Sequence, residues 1–123
     1  MGRLNRLFAL NCLLLVPLAC SGDKSDDHPT VEETAWRKIR IGALLVDVRT
    51  PAEYARGHIE GAMNIPYDQI EARTGELGDD KNREIVLYCR SGRRSALAKQ
   101  TLEKLGFTHV FNAGSYQRLL EAR

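Results

Sequence analysis

Ile85-Val86-Leu87-Tyr88-Cys89 is an apolar run that ends in a thiol, and Arg90-Ser91-Gly92-Arg93-Arg94-Ser95 separates it from a helix-forming segment that begins at Ala96. A strand that stops where a helix starts points its last side chain at the free N–H groups of the helix N-terminus, a ready-made site for negative charge. Those amides and fixed arginine charge together favour thiolate over thiol. Gly92 lets the backbone curl closely enough for successive amides to face inward. Ser95 stands at the helix start as a donor or acceptor, and Arg94 either returns toward the pocket or clamps a nearby carboxylate. The chemistry this pattern suits is nucleophilic attack by Cys89 on something anionic.

The other two cysteines, Cys12 and Cys20, belong to a different kind of sequence. Residues 1–6 are short and basic, and residues 7–19 are apolar apart from Asn11. Thirteen residues are too few to cross a bilayer as a helix but fit the apolar core of a secretory signal. Leu18-Ala19-Cys20 resembles the lipoprotein junction of bacteria, although Pro17 stands where leucine is usual. Residues 1–19 are therefore expected to be a signal peptide of lipoprotein type and Cys20 the lipidated N-terminus. Residues 20–30 form a polar tether, and residues 31–123 the folded domain. The expected location is the periplasm or cell envelope of a bacterium, with a membrane held through Cys20; cleavage near Ala19 without lipid, and an uncleaved anchor or buried helix, are the alternatives. Loss of Cys12 and acylation of Cys20 leave Cys89 as the one free thiol, in a compartment where an unpaired thiol is at risk of oxidation.

Lys and Arg total 18 against 16 Asp and Glu, and removal of Arg3 and Arg6 balances them. A neutral domain carries no nucleic-acid footprint, so Arg90, Arg93 and Arg94 are a focused charge. Residues 31–40 read as a helix capped by Thr30, and 44–48 as a strand buried on both faces. Thr50-Pro51-Ala52-Glu53 opens a brief helix ending near Gly57, with Glu53 as its capping-box acid. Residues 62–65 read as a short strand, 67–71 as a helical turn and 73–83 as a polar connection. Residues 84–88 form a second buried strand, 92–106 the longest helix, 108–111 another strand and 115–123 a closing helix. Strands alternating with helices make an α/β domain with a mostly parallel sheet, and Asp47 and Cys89 fall at strand ends where sites form. His28 and His109 have no metal partner at useful spacing, and Tyr88 reads as core beside the site.

Cys89-Arg90-Ser91-Gly92-Arg93-Arg94-Ser95 resembles the active-site loop of rhodanese-family sulfurtransferases. Leu45-Val46-Asp47-Val48-Arg49-Thr50-Pro51-Ala52-Glu53-Tyr54 is similar to that family's first signature, and His58-Ile59-Glu60-Gly61-Ala62-Met63-Asn64-Ile65-Pro66 to the segment after it. The resemblance covers about residues 31–120 and implies a small three-layer domain, its central sheet flanked by helices. It further implies a Cys89 persulfide, formed from thiosulfate or a similar small anionic donor and discharged to cyanide or a thiol, with no metal or organic cofactor. On this reading Arg90 and Arg93 draw the donor's oxygens, Ser91, Gly92 and Ser95 line the loop, and Arg94 closes it through Asp47 or Glu53. Asp47 and His58 act as structural supports, and Arg49 either binds anion or is salt-bridged. A monomer is expected, with a sulfur-accepting protein as a possible partner. Asn112-Ala113-Gly114 departs from the family's usual Gly-Gly pair, and Tyr116 stands in place of a common tryptophan.

Two rivals share this pattern. Phosphatases and arsenate reductases of related fold usually place arginine six residues after cysteine; here Arg94 comes at five, with no acid in the loop. The shorter ring suits a sulfur atom better than a phosphate. A non-turnover sulfur carrier or partner-binding domain is the second rival, distinguished by slow discharge to small acceptors.

Overall fold

The computed structural model describes residues 27–123; the leader and Cys20 lie outside the described residues. The chain runs α1 (Val31–Arg40), β1 (Leu44–Asp47), α2 (Pro51–Arg56), β2 (Met63–Asn64), β3 (Ile85–Cys89), α3 (Arg93–Lys104), β4 (Val110–Ser115) and α4 (Tyr116–Glu121). The four strands form one sheet in the order β2-β1-β3-β4, every neighbouring pair parallel.

Local chemistry sets the first two helices. The Thr30 hydroxyl accepts from Glu33 N while the Glu33 carboxylate accepts from Thr30 N, and Thr50 and Glu53 repeat the arrangement at α2. Each box satisfies backbone donors that a helix start leaves free. The period-two alternation of strand side chains then builds two cores on the two faces of the sheet. Val46, Ile85, Leu87 and Cys89 face α3, packed with Ala98, Leu102 and Phe107. Leu45, Val86 and Tyr88 face α1 and α4, packed with Trp36 and Leu119. Trp36 Nε1 donates to Leu119 O at 2.9 Å, which ties the two helices of that layer together.

Several boundaries differ from expectation. The segment 67–71 is a run of turns, not helix, and the polar connection holds a 3-10 turn, Thr74–Leu77, that buries Leu77. The last strand starts later and runs four residues further than expected, to Ser115. Its register with β3 slips between Leu87 and Cys89: Leu87 faces Asn112, yet Cys89 faces Ser115. One residue too many on β4 makes a bulge there. Tertiary pairing extends the strand through Asn112-Ala113-Gly114, residues with weak strand preference of their own.

Candidate active site

Cys89 closes β3 and is fully buried. The chain leaves the sheet, reverses at Gly92 with φ of 95° and enters α3 at Arg93. A Cβ at Gly92 would stand 3.2 Å from the Gly114 Cα, so only glycine permits both that φ and the close packing of the loop on the β4 bulge. The reversal cradles the sulfur. Gly92 N donates to Cys89 Sγ at 2.9 Å, and the Ser95 hydroxyl lies 3.4 Å from the same atom. Burial pushes the thiol up, but the Ser95 hydroxyl and the amides of Ser95, Ser91 and Gly92 outweigh it and hold Cys89 below the ordinary thiol pKa.

Arg94 clamps the carboxylate of Glu53, Nη1 to Oε1 at 2.7 Å and Nη2 to Oε2 at 3.0 Å, so both its terminal nitrogens are engaged by that carboxylate. Of the two carboxylates within its sequence reach, Glu53 is the partner, because Asp47 is already taken. Arg49 Nε and Nη2 grip the Asp47 carboxylate, the shortest contact 2.6 Å, and Nη2 also donates to Gly57 O at 2.7 Å. Burial alone would lower the Arg49 pKa, and the Asp47 carboxylate more than reverses it. The guanidinium lies against the Tyr116 ring, 4.3 Å from its centroid.

Arg94 holds the Glu53 carboxyl at about 2 against the opposing effect of burial, with the Thr50 amide and hydroxyl adding to the depression. In the unfolded chain that carboxyl titrates near 4.5. Between those values the unfolded state binds more protons, so acid favours unfolding. The stability that Glu53 contributes is fully present above pH 4.5 and lost as pH falls toward 2. Urea melts across this range are expected to show Glu53→Gln below wild type at neutral pH and level with it near the acid end. An unchanged gap throughout would break the assignment.

Arg90 is exposed and lines a cleft of about 450 Å³ with Arg49, Glu53, Arg56, Gly57, Tyr116 and Gln117. Arg93, at the first position of α3, is exposed and outside that lining, so the structure does not bring it to the cleft with Arg90. Arg56 takes its place; the sequence signal was its position just before the Gly57 turn. A second cleft borders the loop, lined by Ser91, Gly92, Asn112, Gly114 and Ser115 among others. His58 is exposed, stacked flat on Tyr54 with ring centroids 3.7 Å apart, and its Nδ1 lies 2.9 Å from Tyr54 O. Tyr88 fills the core, and its hydroxyl accepts from Ile59 N at 3.0 Å. Asn112, read only as a departure from a glycine pair, makes three hydrogen bonds around the loop.

Residues 31–121 match the family described as the rhodanese-like domain. The chain is 44% identical over 69 residues to the thiosulfate sulfurtransferase PspE of Escherichia coli, covering 56% of this chain and 66% of that protein, just under two thirds of its length. It is 34% identical over 108 residues to human thiosulfate:glutathione sulfurtransferase, covering 76% of this chain and 94% of that one. The solved human single-domain sulfurtransferase TSTD1 superposes with a TM-score of 0.64 at 33% identity, covering 78% of this chain and 98% of that chain.

Proposed function

The chain belongs to the rhodanese-like domain family, and from that premise we propose that it is a sulfurtransferase acting through a Cys89 persulfide, with thiosulfate or a similar anion as donor. The observation that carries the reading is the buried Cys89 sulfur held by the Gly92 amide at 2.9 Å with the Ser95 hydroxyl beside it. The thiolate attacks the donor's outer sulfur; the new S–S bond forms as the old one breaks, and its electron pair leaves with sulfite. Charge is conserved and no proton moves, so no general base is needed, which fits a His58 engaged with Tyr54. The persulfide's terminal sulfur carries the negative charge, and the loop amides suit it as an oxyanion hole suits oxygen. A nucleophilic acceptor, cyanide in an assay or a thiol in a cell, then takes that sulfur and restores the Cys89 thiolate.

The cleft beside the loop presents Arg56 and Arg90 to an incoming anion, beside an Arg49 already paired with Asp47, which supports an anionic donor. Arg94 bound to Glu53 is poorly placed to grip a phosphate in the loop, which weighs against phosphoryl chemistry. Complete burial of Cys89 favours one second reading, a carrier whose shielded persulfide is discharged by a partner protein. Ping-pong turnover with a small acceptor supports the enzyme, and a persulfide that survives cyanide supports the carrier. The leader reading stands as part of the proposal: export to a bacterial envelope, with lipid on Cys20.

Intact mass spectrometry of the exported protein tests all of this together. Exposure to thiosulfate is expected to add about 32 Da, one sulfur, at a thiolate nucleophile, and cyanide to remove it. The same spectrum carries the mass of any lipid on Cys20. A chain that gains no mass from thiosulfate lacks the proposed donor chemistry.

A further inference from the structure

The nucleophile loop has a support outside itself. Asn112, on β4, donates from Nδ2 to Gly92 O at 3.1 Å, while its Oδ1 accepts from the Ser95 hydroxyl at 2.7 Å and from Gly114 N at 2.9 Å. Gly92 O is the carbonyl that also accepts from Ala96 N at 3.0 Å, the first turn of α3. One carboxamide thus joins three things: the reversal at Gly92, the buried hydroxyl of Ser95 and the bulge at Gly114.

We propose that Asn112 is a positioning residue for the nucleophile: it ties the loop to the β4 bulge and so keeps the Gly92 amide and the Ser95 hydroxyl on Cys89 Sγ. Ser95 has a single hydroxyl proton and three acceptors near it, Asn112 Oδ1 at 2.7 Å, Gly92 O at 3.1 Å and Cys89 Sγ at 3.4 Å. With Oδ1 anchored by Gly114 N, the Ser95 oxygen stays at a fixed distance from sulfur whichever acceptor holds its proton. The hydroxyl is therefore ready to turn to the thiolate when it forms. Without Asn112, the register slip that brings Gly114 against Gly92 has no side chain spanning it. The inference rests on Cys89 being the nucleophile proposed above, and on nothing about the donor.

The test reads the thiol directly. Site-resolved alkylation of the Cys89 peptide by iodoacetamide is followed against pH in the full chain. The charged groups around the sulfur are left in place: Arg94 with Glu53, Asp47 with Arg49 at the end of the adjoining strand, and the exposed Arg90 and Arg93. Asn112→Ala is expected to raise the alkylation midpoint by about one pH unit, so that below both midpoints the rate falls about tenfold. Ser95→Ala is expected to shift it similarly, and the double variant to add little to either, because both act on one hydrogen-bond unit. In sulfur uptake kcat falls while the donor KM barely moves. Asn112→Leu keeps roughly the side chain's size, adds no charge and removes both the acceptor for Ser95 and Gly114 and the donor to Gly92 O; it is also expected to raise the midpoint, and it covers the case in which the alanine variant fails to fold. Wild-type midpoints in the variants that fold would overturn the proposal. Alkylation needs no sulfur donor, so a wild-type chain that alkylates normally but forms no persulfide would defeat the functional reading alone.

Discussion

Cys89→Ser is expected to retain its fold and lose sulfur transfer, with turnover down by at least about 10⁴-fold and no mass gained from thiosulfate. The serine oxygen would sit in the same cradle, accepting from the Gly92 amide at the position where the sulfur now lies 2.9 Å away, so its polarity is satisfied despite full burial. It is slightly smaller than the thiol, and the core around Leu87, Ala98 and Leu102 has little to lose. Chemistry is where the substitution acts. A hydroxyl stays protonated under donors that only lower a thiol's pKa, and oxygen is a poor partner for sulfane sulfur. Thiosulfate–cyanide turnover, intact mass and far-UV circular dichroism together check the prediction. Turnover within tenfold of wild type in a folded Cys89→Ser chain would remove Cys89 from the mechanism.

The largest stability effect is expected from Asp47→Ala. The Asp47 side chain is fully buried, and its partner Arg49 is only 7% exposed. Removing the carboxylate leaves a guanidinium uncompensated in a low-dielectric site, which costs about 3–5 kcal/mol. Against the stability of about 5–15 kcal/mol usual for a domain, that is a large share. The carboxylate also accepts from Arg49 N at 2.9 Å, so the turn from β1 into α2 loosens with it. Urea unfolding at neutral pH gives the number. The double variant Asp47→Ala with Arg49→Met is expected to recover part of the loss, since a thioether packs against the Tyr116 ring with no charge to solvate. Full wild-type stability in Asp47→Ala, or no recovery in the double variant, would show that the pair is not holding the strand end.

What was legible in the residues was chemistry that acts over a few positions. Thr30 with Glu33 and Thr50 with Glu53 are capping boxes, and both form as spaced. The continuous apolar runs in Leu44–Asp47 and Ile85–Cys89 specified buried parallel strands, and the glycine after Cys89 marked the reversal that turns amides onto sulfur. Arg94 has two carboxylates in reach, Asp47 and Glu53, and a chain read in one dimension has no way to choose between them. The choice followed once Arg49 curled back within its own turn to occupy Asp47. Arg90 and Arg93 are equal candidates by spacing alone, because spacing does not show which side of a reversal faces a cleft.

Asn112 is the clearest case of information that spacing does not contain. Two of its three partners lie 17 and 20 residues back along the chain, and they meet it only because β4 pairs with β3 and slips register by one residue. The nucleophile, its loop and the layering of the domain were written into neighbouring residues, since capping, short apolar runs and a glycine turn depend on residues a few positions apart. Which charge answers which, how deep the sulfur lies and what braces the loop depended on sheet pairing, since those contacts form between segments that only the folded chain brings together.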